Sequence, residues 1–261
     1  MSYYEKIWIY ARLLVSLLPL LSSIPFQFAT ASSNNGTFFV LLTLNDSPCN
    51  LITLSIPSNR ALPKKGTISA THVSCGSAIK LTHVSTGGEY VLSSNNNHNW
   101  GGGSGQQIVT LVSRKEVDSS SVLWQVREGH NSTNCITGSA LQCGQIIRLT
   151  HLGSQKNLHT QLHIPSAISF QQEVSGFGEK GEGDHGDDWR VLCSGKRWRK
   201  GQTVRLQHVI TGAYMAASKK YLFDERNCRS CPILNHLEVA GTNNPDDTTN
   251  FQARSGVFIS L

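Results

Sequence analysis

Cys228-Arg-Ser-Cys231 has the C-x-x-C spacing at which two thiols exchange with a substrate disulfide, provided a positive charge and a helix N-terminus lower one thiol's pKa. No βαβ pattern surrounds it and Pro232 follows, so a disulfide that staples its own loop is the better reading. Zinc would need two more ligands, and His236 offers at most one. Gly176-Phe-Gly-Glu-Lys-Gly181 spells G-x-G-x-x-G, which cradles a pyrophosphate only between a strand and a helix. Here it runs into Glu182, Asp184, Asp187 and Asp188, carboxylates that would repel phosphate and lack the spacing of a calcium loop. A solvated turn before Trp189 is expected instead. His83, His151 and His208 recur at one position of a repeated phrase and would suit a metal triad on a threefold axis. Each shares a face with its strand's leucine, so a structural role is expected of them. No G-x-S-x-G elbow or H-E-x-x-H pair is present, and nothing nominates a nucleophile with its base.

The elements that must carry these residues are written three times. Ile79-Lys-Leu-Thr-His83, Ile147-Arg-Leu-Thr-His151 and Val204-Arg-Leu-Gln-His208 lie 68 and 57 residues apart, each entered through a glycine (Gly76, Gly144, Gly201). Each is followed by a valine, Val109, Val174 and Val239, at intervals of 65 and 65 residues, and then by a large aromatic, Trp124, Trp189 or Phe251. Alternation within the phrase predicts half-buried strands, and Gly, Asn, Ser and Thr supply turns every ten residues or so. No amphipathic helix of useful length is expected. Three coupled units of about sixty residues imply one all-β domain.

Charge is spread thinly, with 15% charged residues and a net of +6, and the only basic cluster, Lys196-Arg-Trp-Arg-Lys200, has no stacking array beside it, so no nucleic-acid partner is expected. Residues 1–31 read as a secretory signal, with Lys6 and Arg12 ahead of an apolar run and Ala29-Thr-Ala31 at the cleavage site. That run is too short to span a membrane. Residues 32–68 read as an unassigned insert with little order. Seven cysteines and the sequons at Asn35 and Asn131 fit an oxidising compartment, while Pro48 spoils the sequon at Asn45. Cys135 and Cys143 bracket a turn-rich connection that a disulfide between them would close.

Residues 73–255 resemble MIR-domain proteins, above all the stromal cell-derived factor 2 family of the endoplasmic reticulum. The resemblance rests on 73–81, on Gly103-Ser-Gly-Gln-Gln107, on 143–151 with Asn157-Leu-His159, and especially on the long segment 172–193. It implies a β-trefoil of three MIR repeats, 69–126, 134–191 and 194–256, with pseudo-threefold symmetry. It also implies a non-enzymatic, cofactor-free accessory factor that joins a J-domain co-chaperone and the lumenal chaperone ATPase and binds misfolded polypeptides. MIR units in protein O-mannosyltransferases make glycan binding the alternative. The family's Leu-His-Ser-His phrase is replaced here by Leu92-Ser-Ser-Asn95 and Leu158-His-Thr-Gln161. Candidate contact residues from the family-like loops are Gln106, Gln107, His159, Gln171, Gln172 and Trp189, the last also read as core. The chain ends Gly256-Val-Phe-Ile-Ser-Leu261 without a KDEL-type signal, so lumenal residence would rest on a partner, or the product is secreted.

Overall fold

The computed structural model describes residues 71–117, 119–130 and 132–261, preceded by the backbone of three strands. Those strands, β1 (Gln27–Asn34), β2 (Thr37–Thr43) and β3 (Ile52–Leu54), pair antiparallel within a unit of residues 1–67; residues 68–261 form a second unit. The leader, the insert and the sequons at Asn35 and Asn131 otherwise lie outside the described residues.

The second unit holds twelve strands in three sets of four. The first set is β4 (Ala78–His83), β5 (Tyr90–Asn99), β6 (Gln107–Ser113) and β7 (Trp124–Glu128). The second is β8 (Ile146–His151), β9 (Asn157–Pro165), β10 (Gln172–Phe177) and β11 (Trp189–Leu192). The third is β12 (Thr203–His208), β13 (Tyr214–Leu222), β14 (Leu237–Thr242) and β15 (Phe251–Val257). Among the described residues, helix is limited to three 3-10 turns, Ser119–Val122, His185–Asp187 and Asp247–Thr249, each just before the aromatic that opens β7, β11 or β15.

The outer strands of the sets close a ring. β4 pairs β7, β7 pairs β8, β8 pairs β11, β11 pairs β12, β12 pairs β15, and β15 returns to β4, all antiparallel. A closed ring of this kind leaves no free edge. The register repeats as well: Ile79 faces Trp124, Ile147 faces Trp189, and Val204 faces Phe251. The inner hairpins β5–β6, β9–β10 and β13–β14 meet as a triangle at one end, with Gln107 opposite Gly176, Gln172 opposite Gly241, and Leu237 opposite Leu111. This six-stranded barrel capped by three hairpins is the β-trefoil.

The other end is plugged by a cycle of backbone hydrogen bonds. Val73 N–H donates to Trp198 C=O, Trp198 N–H to Leu141 C=O, and Leu141 N–H to Val73 C=O, at 2.9, 3.0 and 2.9 Å. All three side chains are buried in the main core with the ring's leucines, isoleucines and valines. The tryptophan of the basic cluster is thus a core residue while its charged neighbours stay exposed. The first strand of each set, β4, β8 or β12, is entered through Gly76, Gly144 or Gly201 at φ +79°, +90° and +76°, a left-handed turn that disfavours any Cβ and accounts for the repeated glycine.

The recurring histidines are seam residues. His83, His151 and His208 stack on Phe251, Trp124 and Trp189 of the neighbouring ring strand, with ring centroids 5.1, 5.1 and 5.3 Å apart. All three are buried, and a metal triad is not formed.

The expected bridge between Cys135 and Cys143 is replaced by two others: Cys75–Cys135 and Cys143–Cys193. The connection after β7 runs back along residues 75–77, where Cys75 N–H donates to Ser139 C=O and Gly138 N–H to Cys75 C=O, so Cys135 meets Cys75. Cys143 N–H instead donates to Lys196 C=O beyond β11, which brings it beside Cys193. Cys228 and Cys231 are bonded to each other.

Candidate binding face at the hairpin triangle

Two of the three triangle corners carry a glutamine that staples neighbouring repeats together. Gln107 Nε2 donates to Ser94 Oγ of its own hairpin (2.6 Å) and to Ser154 Oγ of the next repeat (2.8 Å), and Ser154 Oγ in turn meets His151 Nδ1 at 2.9 Å. Gln172 Nε2 repeats this on Thr160 Oγ1 (2.7 Å) and Thr211 Oγ1 (3.0 Å), with Thr211 Oγ1 on His208 Nδ1 at 2.9 Å. The third corner carries Leu237 and makes no such link.

The neighbouring position decides how each hairpin loop is held. Glu238 is buried, and its carboxylate accepts from Ile168 N–H (2.6 Å) and Ser169 N–H (3.0 Å) in the β9–β10 loop. Glu173 holds the β5–β6 loop in the same way through Ser104, and burial raises its pKa. The equivalent of these glutamates in the first repeat is Ile108, and there the β13–β14 loop is held by apolar contact instead. Ile108 joins Phe223 and Ile233 in a small cluster flanked by Cys228 and Cys231. The C-x-x-C disulfide therefore staples the one loop that has no glutamate clamp.

The clamped β9–β10 loop forms one wall of a groove of about 530 Å³. Leu162, Ile164, Pro165 and Phe170 line it on the loop side, with Gln171 and Gln172 at its base and Thr211, Thr242, Asn243 and Asn244 opposite. Phe170 is 78% exposed and Leu162 52%, and both line this one groove, so the exposure is a shared apolar patch rather than isolated side chains. Phe170 and His163 hold left-handed backbone, φ 57° and 67°. Such strain persists where surrounding contacts over-determine it, and the Glu238 clamp with the Ser166 N–H to Gln171 C=O bond (2.6 Å) does so here.

Of the residues expected to make contacts, Gln171 and Gln172 reach this groove. Gln106 is half-buried, and its Oε1 accepts from Ser175 Oγ at 2.5 Å. Three face inward. Gln107 is 1% exposed and spent on its staple. Trp189 is fully buried, its Nε1 donating to Leu158 C=O at 2.8 Å. His159 is 2% exposed, with Nδ1 3.0 Å from Asp187 Oδ1 and its ring 4.6 Å from that of Phe177. These three are not available to a macromolecular partner, because each is used to lock one element against another.

The acidic segment before Trp189 is also an ordered element rather than a solvated turn. Asp187 and Asp188 are buried; Asp187 accepts from Asn157 Nδ2 (2.8 Å) and from Asp184 N–H (3.1 Å), closing a capping box on the 3-10 turn. Gly186 is required by the close approach of His159, whose Cε1 would lie 2.2 Å from a Cβ there. The groove's apolar rim escaped the sequence because Phe170 sits in a loop without periodicity and Leu162 lies on the exposed end of β9. The signal available was a bulky aromatic inside a polar turn, Ser166 to Gln171.

No family model matches the chain. It is 38% identical over 209 residues to stromal cell-derived factor 2-like protein 1 of Mus musculus, covering 80% of this chain and 86% of that one. It is 39% identical over 187 residues to stromal cell-derived factor 2 of Homo sapiens, covering 72% and 82%. A crystal structure of the SDF2-like protein from Arabidopsis thaliana superposes with a TM-score of 0.64 at 34% identity, over 73% of this chain and 98% of that one. One chain of the S. cerevisiae protein O-mannosyltransferase Pmt1-Pmt2 complex bound to the sugar donor superposes with a TM-score of 0.57 at 26% identity, over 76% of this chain and 29% of that one. Among the described residues, no helix is long and apolar enough to cross a membrane.

Proposed function

The chain belongs to the stromal cell-derived factor 2 family, and from that premise we propose that it acts without catalysis as a binding module of the endoplasmic reticulum lumen. In this reading it joins a J-domain co-chaperone and the lumenal chaperone ATPase and holds misfolded segments during quality control and the unfolded protein response. The supporting observation is the groove beside the β9–β10 loop, where exposed Phe170 and Leu162 stand on a clamped backbone beside amides and hydroxyls. Apolar side chains on a rigid rim gain from covering extended apolar peptide, while Gln171, Asn243 and Asn244 can meet its backbone groups whatever the sequence. Contact this shallow gives weak, broad binding, which suits a holding factor. Cross-linking in the lumen followed by capture of the native protein is expected to recover the J-domain protein and misfolded clients. Its absence with and without folding stress sinks the reading.

A glycan reading has an observation of its own. The groove pairs an exposed aromatic face with amide and hydroxyl groups, and the fold recurs in an O-mannosyltransferase complex bound to a sugar donor. Binding on a glycan array that is lost in Phe170→Ala supports it, and a blank array removes it.

A further inference from the structure

Asp187 and Asp188 close the same 3-10 turn, yet their carboxylates serve different partners. Asp187 is fully engaged by Asn157, His159 and the Asp184 backbone, and the Phe177 ring covers that cluster. Asp188 is 4% exposed, and both of its ion-pair contacts are to imidazoles. His130 Nδ1 stands 3.3 Å from Asp188 Oδ1, and His185 Nδ1 stands 3.2 Å from Oδ2. His130 N–H also donates to Oδ1 at 2.8 Å, which fixes the carboxylate. The two rings meet edge to face with centroids 5.3 Å apart.

We propose that His130, His185 and Asp188 form a surface site for one divalent transition-metal cation of the zinc class. Four ligands about 2.0–2.1 Å from zinc in a tetrahedron lie roughly 3.3 Å from one another. The separation of His130 Nδ1 from Oδ1 already matches that edge. His185 Nδ1 meets the other oxygen, Oδ2, so its exposed ring would turn to bring the nitrogen onto the ion, and one ligand atom from each of the three residues already lies within 4.8 Å of the other two. A buried carboxylate without a permanent cation beside it is costly, and a divalent ion supplies the missing charge. Two imidazole nitrogens and one carboxylate oxygen favour zinc-like ions over calcium or magnesium. Each imidazole would bind through Nδ1 with a proton on Nε2. The His185 side chain is 56% exposed, leaving the fourth position to water. The other grouping with cysteines, Cys75, Glu128 and Cys135, has its sulfurs tied in a disulfide. His130 follows β7, and His185 opens the turn before β11. The ion would therefore tie the connection between the first two repeats to the acidic segment, and binding would add to folding stability.

The test uses the full chain free of affinity-tag histidines, titrated with zinc by calorimetry and with cobalt by visible absorption. One ion per chain is expected, with the absorption of four-coordinate cobalt and no sulfur-to-metal band. His185→Gln and His130→Gln are each expected to weaken zinc by at least the roughly 10–100-fold that loss of an outer partner already costs. His98→Gln should leave binding unchanged. His185 is exposed enough that its variant folds, so it decides the outcome if His130→Gln melts low. No cobalt spectrum, or zinc affinity undiminished in His185→Gln, overturns the proposal.

Discussion

At Phe170 the chain accepts a left-handed backbone, φ 57°, under a side chain that is 78% exposed. That conformation costs a non-glycine residue roughly 1–2 kcal/mol, and no burial of the ring offsets it. The strain serves the rim rather than the core. Phe170→Gly is accordingly expected to melt no lower than the parent chain while losing its ability to slow aggregation of an unfolded client. Undiminished suppression in a light-scattering assay removes Phe170 from the binding face. Glu238 carries the opposite expectation, because its carboxylate is the acceptor for two loop N–H groups. Glu238→Ala strands both donors and should cost about 1–3 kcal/mol. Hydrogen exchange should speed up first at Ile168 and Ser169, and protection equal to the parent at those two amides contradicts the clamp.

The hairpins show which parts of an element a sequence discloses. The ring strands were legible because Ile79, Ile147 and Val204 alternate with polar residues and each pairs within one repeat, so the local pattern carries the information. Gln107 and His159 were not, since a polar side chain in a family-like loop reads as surface. Gln107 Nε2 and His159 Nδ1 find their partners in Ser154 and Asp187, residues 47 and 28 positions away, and no local period encodes such a partner. The same holds for Cys135, whose mate lies 60 residues back across the barrel mouth rather than at the nearer Cys143. Ile108, Glu173 and Glu238 extend the lesson, for one structural position solves loop closure in two chemically different ways. Ile108→Glu would place a carboxylate against Phe223 and Ile233 with no N–H pair opposite it. A loss of about 2 kcal/mol or more is expected in chemical denaturation, well beyond an ordinary surface change. A change under 0.5 kcal/mol would mean that the β13–β14 loop offers the glutamate donors after all.

For the molecule as a whole, the histidines make stability depend on pH through the barrel seams. His83, His151 and His208 each sit between a ring strand and the 3-10 turn of a neighbouring set, and burial lowers the pKa of all three. His236, bonded to Thr110 Oγ1 at 2.8 Å, is lowered for the same reason. His208 falls to about 4, driven first by burial and then by the charge on His159. The unfolded chain takes up these protons near pH 6.5, whereas the folded chain refuses them until well below. The contribution is therefore complete above pH 6.5, declines as pH falls, and for His208 levels off below about 4. Glu173, whose pKa burial raises, works in the opposite direction, but it is one group against four. At pH 5, His208 alone forfeits about 2 kcal/mol, which for a domain of this size lowers the melting temperature by roughly 4–8 °C. Melting at pH 7 and pH 5 checks the sum, and His208→Asn should flatten the slope by about one proton. A melting temperature constant across that interval would mean that the seam histidines are solvated in the folded chain.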